Sequence, residues 1–218
     1  MDTKNKLIKT NAIIINETDY NEYDKLFTLL SEDFGKISVY AFGIRRQNSR
    51  NLGKARIFTF GTFELKLVKD SYQLDNIILK KSFEKIISNY EYNCYASYFI
   101  ELVDYFILEN MESKNVCELL YYTFKAINDE KMDLDLIRLV FELKILQYQG
   151  LYKGSDKLLS DNKTLIYTWG YVLKNDPRNL YNFNLDQNIY KLFKDEMKVE
   201  MREKVDKKFK TLENLNYI

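Results

Sequence analysis

The sequence predicts an α+β protein: an N-terminal five-stranded barrel followed by an all-α helical domain. Up to about residue 80, short runs alternate between apolar and polar residues with the period of two that is typical of β-strands. After residue 80, apolar residues recur three or four positions apart, as they do on one face of a helix. We therefore expect two domains in this 218-residue chain, at residues 1–80 and 81–218.

Five segments of the first domain have the composition or the alternation of strands. Residues 10–17 are rich in β-branched side chains, and residues 36–42 place Ile37, Val39 and Ala41 on one face. Residues 62–68 and 72–79 add two more strands, whereas the apolar residues 25–30 fit either a strand or a helix. Five short strands with glycines between them suit a small closed Greek-key barrel, the OB-fold.

The second domain contains four helical patterns. The first three cover residues 95–106, 116–127 and 136–146, and Asp133 stands near the start of the third, where a capping residue belongs. Residues 150–184 contain Gly154, Gly170 and the single proline, Pro177, and we expect an irregular segment there. The last helix is expected at about 186–212, with an apolar residue at every fourth position.

Positive charge is concentrated in one part of the predicted barrel. Residues 36–69 contain eight basic residues and one acidic residue, a net charge of +7, whereas the rest of the chain carries −6. A basic β-surface on an acidic body is typical of a nucleic-acid-binding protein, although many such surfaces only face solvent. Aromatic residues on the same strand could stack on bases. The candidate binding residues are Lys36, Tyr40, Phe42, Arg45, Arg46, Arg50, Lys54, Arg56, Lys66 and Lys69.

Several classes of enzyme are excluded by composition. The chain has no histidine, so it contains no Ser-His triad and no His-based general acid or base. No glycine-rich phosphate loop, nucleophile elbow or cysteine cluster is present. Asp19, Glu22 and Asp24 could hold Mg²⁺ for a nuclease, but three carboxylates between two apolar runs fit a turn better.

No apolar run reaches the ~20 residues that a membrane span requires, so we expect no membrane association. Cys94 and Cys117 both lie on helical patterns. Two cysteines placed this way are expected to be buried thiols in a reducing cytoplasm rather than a disulfide.

Several stretches, taken in order, resemble the bacterial RecO family of recombination mediators. The similarity covers residues 10 to about 152, and the ordered set carries it rather than any single motif. The matching stretches are TDYNEYDKL at 18–26, FGKI at 34–37, FGIRRQNSR at 42–50, FGTFEL at 60–65, YASYFIELVD at 95–104 and FELK at 141–144.

This resemblance implies a non-enzymatic protein without a cofactor, located in the cytoplasm at the nucleoid. Its OB barrel would bind single- and double-stranded DNA and anneal complementary strands. It would also help to load the recombinase onto strands coated by single-strand DNA-binding protein, commonly together with RecR. Arg45, Arg46 and Arg50 fall on the basic motif of the family. Many members also carry a four-cysteine zinc module after the equivalent of residue 152, but this chain has no cysteine there, so metal binding does not carry over.

Three other functions stay open from the residues themselves. An RNA-binding OB protein would use the same backbone contacts. A metal-dependent nuclease would use Asp19, Glu22 and Asp24, and a protein adaptor would bind no nucleic acid. The resemblance also implies recruitment by the acidic, aromatic-ended tail of single-strand DNA-binding protein. The helical half offers aromatic residues for such a tail, and it offers Lys191, Lys194, Lys207, Lys208 and Lys210.

Overall fold

The computed structural model describes residues 6–211, with side chains from residue 7. These residues form two compact units. One unit contains the chain up to Glu84 together with Ile107–Tyr121, and the other contains Lys85–Phe106 together with the chain from Tyr122 onward. The first unit therefore includes a segment from the helical part of the sequence. Whether residues 1–80 and 81–218 are separate domains stays a prediction.

The first unit contains a closed barrel of five strands in the order β1-β2-β3-β5-β4. Neighbouring strands are antiparallel except for β3 and β5, which are parallel. The predicted OB-fold barrel is confirmed, and residues 25–30, ambiguous in sequence, belong to a strand. The strands are β1 (Lys6–Asp19), β2 (Lys25–Ser31), β3 (Gly35–Ala41), β4 (Phe60–Val68) and β5 (Ser71–Lys81).

Strand β3 has the alternation that its sequence predicts. Ile37, Val39 and Ala41 are buried in the barrel core, whereas Lys36 and Tyr40 lie on the outer face. The other four strands also place apolar residues in the core, because every second residue of a strand points to the same side of the sheet. The core is completed by Ala12, Ile14, Phe27, Leu29, Ile44, Ala55, Phe63, Leu65 and Ile77.

The segment between β3 and β4, residues 42–59, is held against the barrel along its length. Ile44 and Ala55 are buried in the barrel core. Near the end of this segment, the backbone N–H of Phe58 donates to the Ile14 carbonyl at 3.0 Å. The backbone N–H of Ile14 in turn donates to the Thr59 carbonyl at 3.0 Å. The segment is therefore a structured part of the barrel, and the basic residues that it carries have defined positions.

A loop from the helical part of the sequence, residues 107–113 (the Asn110 strap), borders β3. The backbone N–H of Asn110 donates to the Lys36 carbonyl at 3.2 Å. Gly35 has φ +63°, and a Cβ there would overlap the Met111 carbonyl oxygen, so only glycine fits this close approach. Farther along, the thiol of Cys117 donates to the Leu30 carbonyl at 3.4 Å. Both cysteines are buried and free, in agreement with the sequence-based prediction.

The second unit is built around α4, which packs against α2, α5 and α6. Asp133 caps α4, as predicted, because its side chain accepts a hydrogen bond from the backbone N–H of Leu136. None of the helices in the described residues is long and apolar enough to cross a membrane. The helices are α1 (Glu84–Ser88), α2 (Tyr90–Phe106), α3 (Lys114–Asn128), α4 (Leu134–Tyr148), α5 (Lys163–Lys174) and α6 (Gln187–Lys204), and the unit boundary falls within α3.

The expectation that residues 150–184 are irregular is wrong for α5. Asn162 caps this twelve-residue helix, and Leu165, Trp169 and Val172 are buried on one of its faces. The apolar pattern that these three residues form covers only about two turns and is a weak sequence signal, so the helix depends on tertiary burial for its stability. The stretch before it is fixed as well, because the Trp169 indole donates to the Lys153 carbonyl at 2.9 Å.

The last helix ends earlier than predicted. We expected it to reach residue 212, which lies outside the described residues, but α6 ends at Lys204 and Val205 is extended. Phe209 then packs edge-on against Tyr98, with 5.7 Å between the ring centroids. An apolar residue at every fourth position drifts around a helix, so it cannot keep one face buried over six turns. A non-helical segment returns Phe209 to the core instead.

Candidate nucleic-acid interface

Three aromatic rings lie together on the outer surface of the barrel, next to the end of β3. The rings of Tyr40 and Phe42 are stacked, with 5.9 Å between centroids and 7° between planes. Tyr20 meets Tyr40 edge-on at 5.2 Å. Tyr20 is 52% exposed and Phe42 is 56% exposed. This aromatic cluster (Tyr20, Tyr40 and Phe42) offers ring surface to an unpaired base without prior rearrangement.

Two hydrogen bonds between neighbouring loops fix the residues beside the aromatic cluster. The Asp24 carboxylate accepts a hydrogen bond from the Gly43 N–H at 2.7 Å, and the Arg45 N–H donates to the Tyr23 carbonyl at 3.0 Å. The Gly43 contact is the main reason why the pKa of Asp24 lies below its ordinary value, and a hydrogen bond from Asn21 adds to it. The β1–β2 turn and the start of the 42–59 segment are thereby joined.

Two exposed arginines, Arg45 and Arg46, follow Gly43 closely in the sequence. The Arg45 guanidinium donates to Asp19 at 3.0 Å, and the two side chains are 43% and 61% exposed. The Arg46 guanidinium lies over the Tyr23 ring, 5.3 Å from its centroid. An ion pair as exposed as Arg45–Asp19 is weak, so a phosphate can take the place of the carboxylate. Guanidinium groups next to exposed rings suit a nucleic-acid strand, because they bind phosphate while the rings bind bases.

Arg50 and Lys66 converge on one acidic residue, Asp75. Arg50 donates to the Asp75 carboxylate at 3.0 Å and to its backbone carbonyl at 2.6 Å. The Lys66 ammonium binds the other carboxylate oxygen. Lys66 first, and then Arg50, hold the pKa of Asp75 below its ordinary value. The two cations therefore have an anionic partner in the folded chain.

The expectation that the positive charge of residues 36–69 is almost unopposed is wrong in three dimensions. Asp19, Asp75 and Glu84 lie outside that stretch, yet each pairs with one of its arginines. Glu64, the one acidic residue of the stretch, pairs with Lys9, which lies outside it, at 2.6 Å. A charge count along the sequence cannot include partners that only the fold supplies.

The remaining predicted residues have other surroundings. The Lys54 ammonium donates to the Ile77 carbonyl at 3.3 Å, which ties the 42–59 segment to β5, and Arg56 pairs with Glu84 at 2.8 Å. Lys69 is exposed in the β4–β5 turn, and Lys36 borders the Asn110 strap. The fold therefore groups Tyr40, Phe42, Arg45 and Arg46 at one place and Arg50 with Lys66 at another. Their role in binding stays a prediction.

Strand register relates these two groups to each other. Tyr40 on β3 is paired with Gln73 on β5, and Gln73 is paired with Lys66 on β4. All three belong to the outward-facing set of their strands, because their neighbours pack into the core. Adjacent strands are about 4.8 Å apart, so Tyr40 and Lys66 are about 10 Å apart across the sheet. Tyr40 and Lys66, one residue from each group, therefore lie on the same row of outward-facing residues across the sheet.

Sequence reasoning missed Tyr20 and Tyr23 as site residues. Both belong to the polar turn at residues 18–24. The residues of this turn do not alternate between apolar and polar, so no sequence pattern predicts that its aromatic side chains are buried. Tyr23 is 43% exposed and supports Arg46. Aromatic side chains in an otherwise polar turn were the available signal, because apolar rings outside any core-facing pattern are exposed unless a loop covers them.

Two of the three carboxylates of the alternative metal site, Asp19 and Asp24, have other partners. Asp19 binds Arg45, and Asp24 binds the Gly43 N–H and the Asn21 side chain. Within residues 6–211, no group of three or more histidine, cysteine, aspartate or glutamate side chains is arranged to hold a metal ion. The geometry therefore gives no support to a magnesium-dependent nuclease at Asp19, Glu22 and Asp24.

Comparison with known proteins identifies the family. Residues 4–83 match the model of the Recombination protein O N terminal, and residues 87–153 match that of the Recombination protein O C terminal. The two matches are consecutive and together cover about two-thirds of the chain.

Curated relatives carry the same name, DNA repair protein RecO. The Caldicellulosiruptor bescii protein is 33% identical over 147 residues, covering 67% of this chain and 60% of the relative. The Bacillus pumilus protein is 32% identical over 151 residues (69% and 59%), and the Clostridium novyi protein is 29% identical over 144 residues (66% and 56%). The matched regions thus span less than two-thirds of the length of these relatives. With both family models matched in order, the chain belongs to the RecO family of DNA repair proteins.

Proposed function

We propose that this protein is a DNA-binding recombination mediator that acts without catalysing bond chemistry. It binds single- and double-stranded DNA, anneals complementary strands and assists loading of the recombinase onto strands coated by single-strand DNA-binding protein. RecR is its expected partner, and the bacterial nucleoid in the cytoplasm is its expected location. Membership of a DNA repair family supports this role, and the barrel surface supports DNA as the ligand.

The observation that carries the proposal is the aromatic cluster with Arg45 and Arg46 beside it. The stacked pair of half-buried Tyr40 and exposed Phe42, with 5.9 Å between ring centroids, binds bases of any sequence, because every base has an aromatic face. The two guanidinium groups bind phosphates next to those bases. A surface of this kind holds an unpaired strand without reading its sequence, which is what strand annealing requires.

Annealing follows from the same contacts. Complementary strands repel each other through their phosphates, and cations on the protein surface reduce that repulsion locally. A strand that is stacked on the aromatic cluster keeps its bases unpaired and accessible at neighbouring positions. A second strand can then pair with it, and stacking within the new duplex releases the bases from the protein.

The test is the salt dependence of binding to a fluorescent single-stranded oligonucleotide. If five or six phosphates are engaged, log K should fall against log[salt] with a slope of about −4. Replacing Arg45, Arg46 and Arg50 by alanine should flatten the slope by about two units. The matched control removes three exposed charges from the helical unit, Lys157, Lys163 and Lys174, and should leave the slope unchanged. An equal effect of both triple variants would place the binding surface elsewhere.

Two further arms of this experiment separate the alternatives. A matched RNA oligonucleotide that binds more tightly than DNA would favour an RNA-binding role. Strand cleavage that depends on Mg²⁺ would favour a nuclease, and absence of binding at low salt would favour a protein adaptor. An annealing assay with two complementary strands then measures the proposed activity directly.

The proposal includes recruitment through the helical unit by an acidic, aromatic-ended tail. Lys191, Lys208 and Lys210 are candidate cations for the tail carboxylates, whereas Lys194 pairs with Asp135 at 3.0 Å and Lys207 with Glu101 at 3.8 Å. A fluorescent tail peptide should bind the full chain, and deletion of its terminal phenylalanine should weaken binding. Replacing Lys191, Lys208 and Lys210 by alanine should weaken it too. Unchanged binding by this variant would move the tail site away from these lysines.

A further inference from the structure

Asp75 divides its carboxylate between two cations on the barrel surface. One oxygen accepts from Arg50 at 3.0 Å, and the other binds Lys66. The side chains of Arg50 and Lys66 are 61% and 45% exposed, whereas that of Asp75 is 26% exposed. The cations thus reach farther into solvent than the anion that they share, so an incoming ligand meets them first.

A phosphodiester group has the features that Arg50 and Lys66 already bind. A phosphodiester carries one negative charge shared by two non-bridging oxygens, just as a carboxylate shares one charge between its two oxygens. Guanidinium and ammonium groups both bind such oxygens. We propose that Arg50 and Lys66 form a phosphate subsite for the backbone of bound DNA, and that Asp75 occupies their donors while DNA is absent. This subsite depends on the proposed function, because it lies along the same DNA path.

The position of the subsite agrees with such a path. Lys66 is in register with Gln73, which is in register with Tyr40 of the aromatic cluster. A strand stacked on Tyr40 that crosses the sheet toward β4 passes Arg50 and Lys66 after about 10 Å. Arg50 keeps its position during the exchange, because its second hydrogen bond goes to the Asp75 backbone carbonyl at 2.6 Å rather than to the carboxylate.

The exchange has a measurable electrostatic consequence. When a phosphate replaces the carboxylate, Asp75 is left as an uncompensated negative charge near DNA, which opposes binding. Asp75 therefore lowers the affinity for DNA and cancels one of the two positive charges of the subsite. Neutralising Asp75 should add the equivalent of one phosphate contact, which makes the salt slope on single-stranded DNA steeper by about 0.7.

The test compares Asp75→Asn with Asp70→Asn in the full chain, using a fluorescent oligothymidine. Both substitutions change the net charge by the same amount. Asp70 is exposed in the β4–β5 turn at φ +63°, which asparagine adopts readily. Asp75→Asn should tighten binding about 3- to 10-fold at low salt and steepen the slope, whereas Asp70→Asn should change affinity less than about twofold at constant slope. Equal effects of the two variants overturn the proposal.

A second comparison tests whether the gain in DNA affinity caused by Asp75→Asn depends on Arg50 and Lys66. In the Asp75→Asn background, replacing Arg50 and Lys66 by alanine should remove the gain; if the gain persists, the subsite does not exist. Asp75→Ser serves as a second neutral variant if the asparagine variant folds poorly by circular dichroism. Binding by the wild-type protein that depends on Tyr40 and Phe42, with no effect at Asp75, would overturn the subsite alone. Absence of wild-type binding would overturn the proposed function as well.

Discussion

The Asp24 carboxylate and the Gly43 backbone N–H form a 2.7 Å hydrogen bond across 19 residues of sequence. This contact joins the β1–β2 turn to the segment in which Arg45 and Arg46 follow. It converts two loops of the barrel into one rigid surface next to the aromatic cluster. Preorganisation of this kind reduces the entropy that a loop would lose on binding DNA.

The Asp24–Gly43 contact should have a defined pH dependence. The pKa of Asp24 is lowered from 3.8, mainly by the Gly43 hydrogen bond. A carboxyl group with a lowered folded pKa contributes stability above its unfolded pKa and loses it as the pH falls through the folded pKa. The Gly43 amide resonance should therefore stay constant from pH 7 to about 4 and shift only below 3.8. In Asp24→Asn the acid shift should vanish; its persistence would point to another titrating group.

Loss of the stacked rings should affect single-stranded DNA more than duplex DNA. Replacing Tyr40 and Phe42 by alanine should cost roughly 1–3 kcal/mol for each base of single-stranded DNA that stacks. Duplex DNA should lose less, because its bases already stack on their neighbours and offer no free face to a ring. Fluorescence anisotropy with matched single- and double-stranded probes measures this difference. Tyr167→Ala removes a ring that is 74% exposed in the helical unit and should alter neither affinity. Equal losses on both probes would argue against base stacking.

Gly35 should tolerate no side chain. Alanine at φ +63° costs about 1–2 kcal/mol from backbone strain, and its Cβ would collide with the Met111 carbonyl. Gly35→Ala should lower the free energy of unfolding and accelerate hydrogen exchange of the Asn110 amide, which donates to Lys36. Gly53→Ala is the control, since no atom lies within 4 Å of its Cβ position. Similar stability of the two variants would show that the strap adapts.

Glu200 should make the helical unit less stable as the pH rises. Its pKa is raised from 4.5, chiefly by burial, and Lys153, at 3.7 Å, opposes this shift. A raised folded pKa means that the folded state holds the proton more tightly, so stability falls between pH 4.5 and the folded pKa. Glu200→Gln should gain stability relative to wild type over that range.

Urea unfolding at several pH values, followed by Trp169 fluorescence, measures the effect of Glu200 within its own unit. Trp169 is the single tryptophan and is fully buried there. Other buried carboxyl groups, such as Glu142, contribute equally to both proteins, and their effects cancel in the difference. A difference in stability that does not vary with pH would contradict the prediction.

Removal of metal ions should leave folding unchanged. Residues 153–160 are fixed by other contacts: the Glu196 carboxylate accepts from the backbone N–H groups of Leu159 at 2.6 Å and Ser160 at 3.1 Å. Lys153 lies 3.5 Å from the same carboxylate. Dialysis against a chelator should change neither the thermal unfolding midpoint nor the Trp169 spectrum. One zinc ion per chain that survives dialysis would overturn this expectation.

Local patterns account for most of what the sequence predicted correctly. The alternation of residues 36–42 and the Asp133 cap depend on neighbours within a few positions, so the chain itself carries the signal. The α5 helix was missed because one short apolar face gives little periodicity, whereas burial of that face, including Trp169 against Phe193 of α6, stabilises it. The end of α6 was misplaced for a related reason, since Phe209 contacts Tyr98 rather than continuing a helix.

The pairing of the strands closes the barrel, whereas the sequence by itself determined the strand-rich first part, the helical half, the burial of both cysteines and the excess of basic residues in residues 36–69. These features follow from composition and short-range periodicity. Only the tertiary structure decided how that charge is distributed, because Arg50 and Asp75 are 25 residues apart and Arg45 and Asp19 are 26 apart. Ion pairs depend on distance in space, and strand register sets that distance. The fold therefore turned a basic stretch into two exposed arginines beside stacked rings and a second pair of cations that Asp75 already holds.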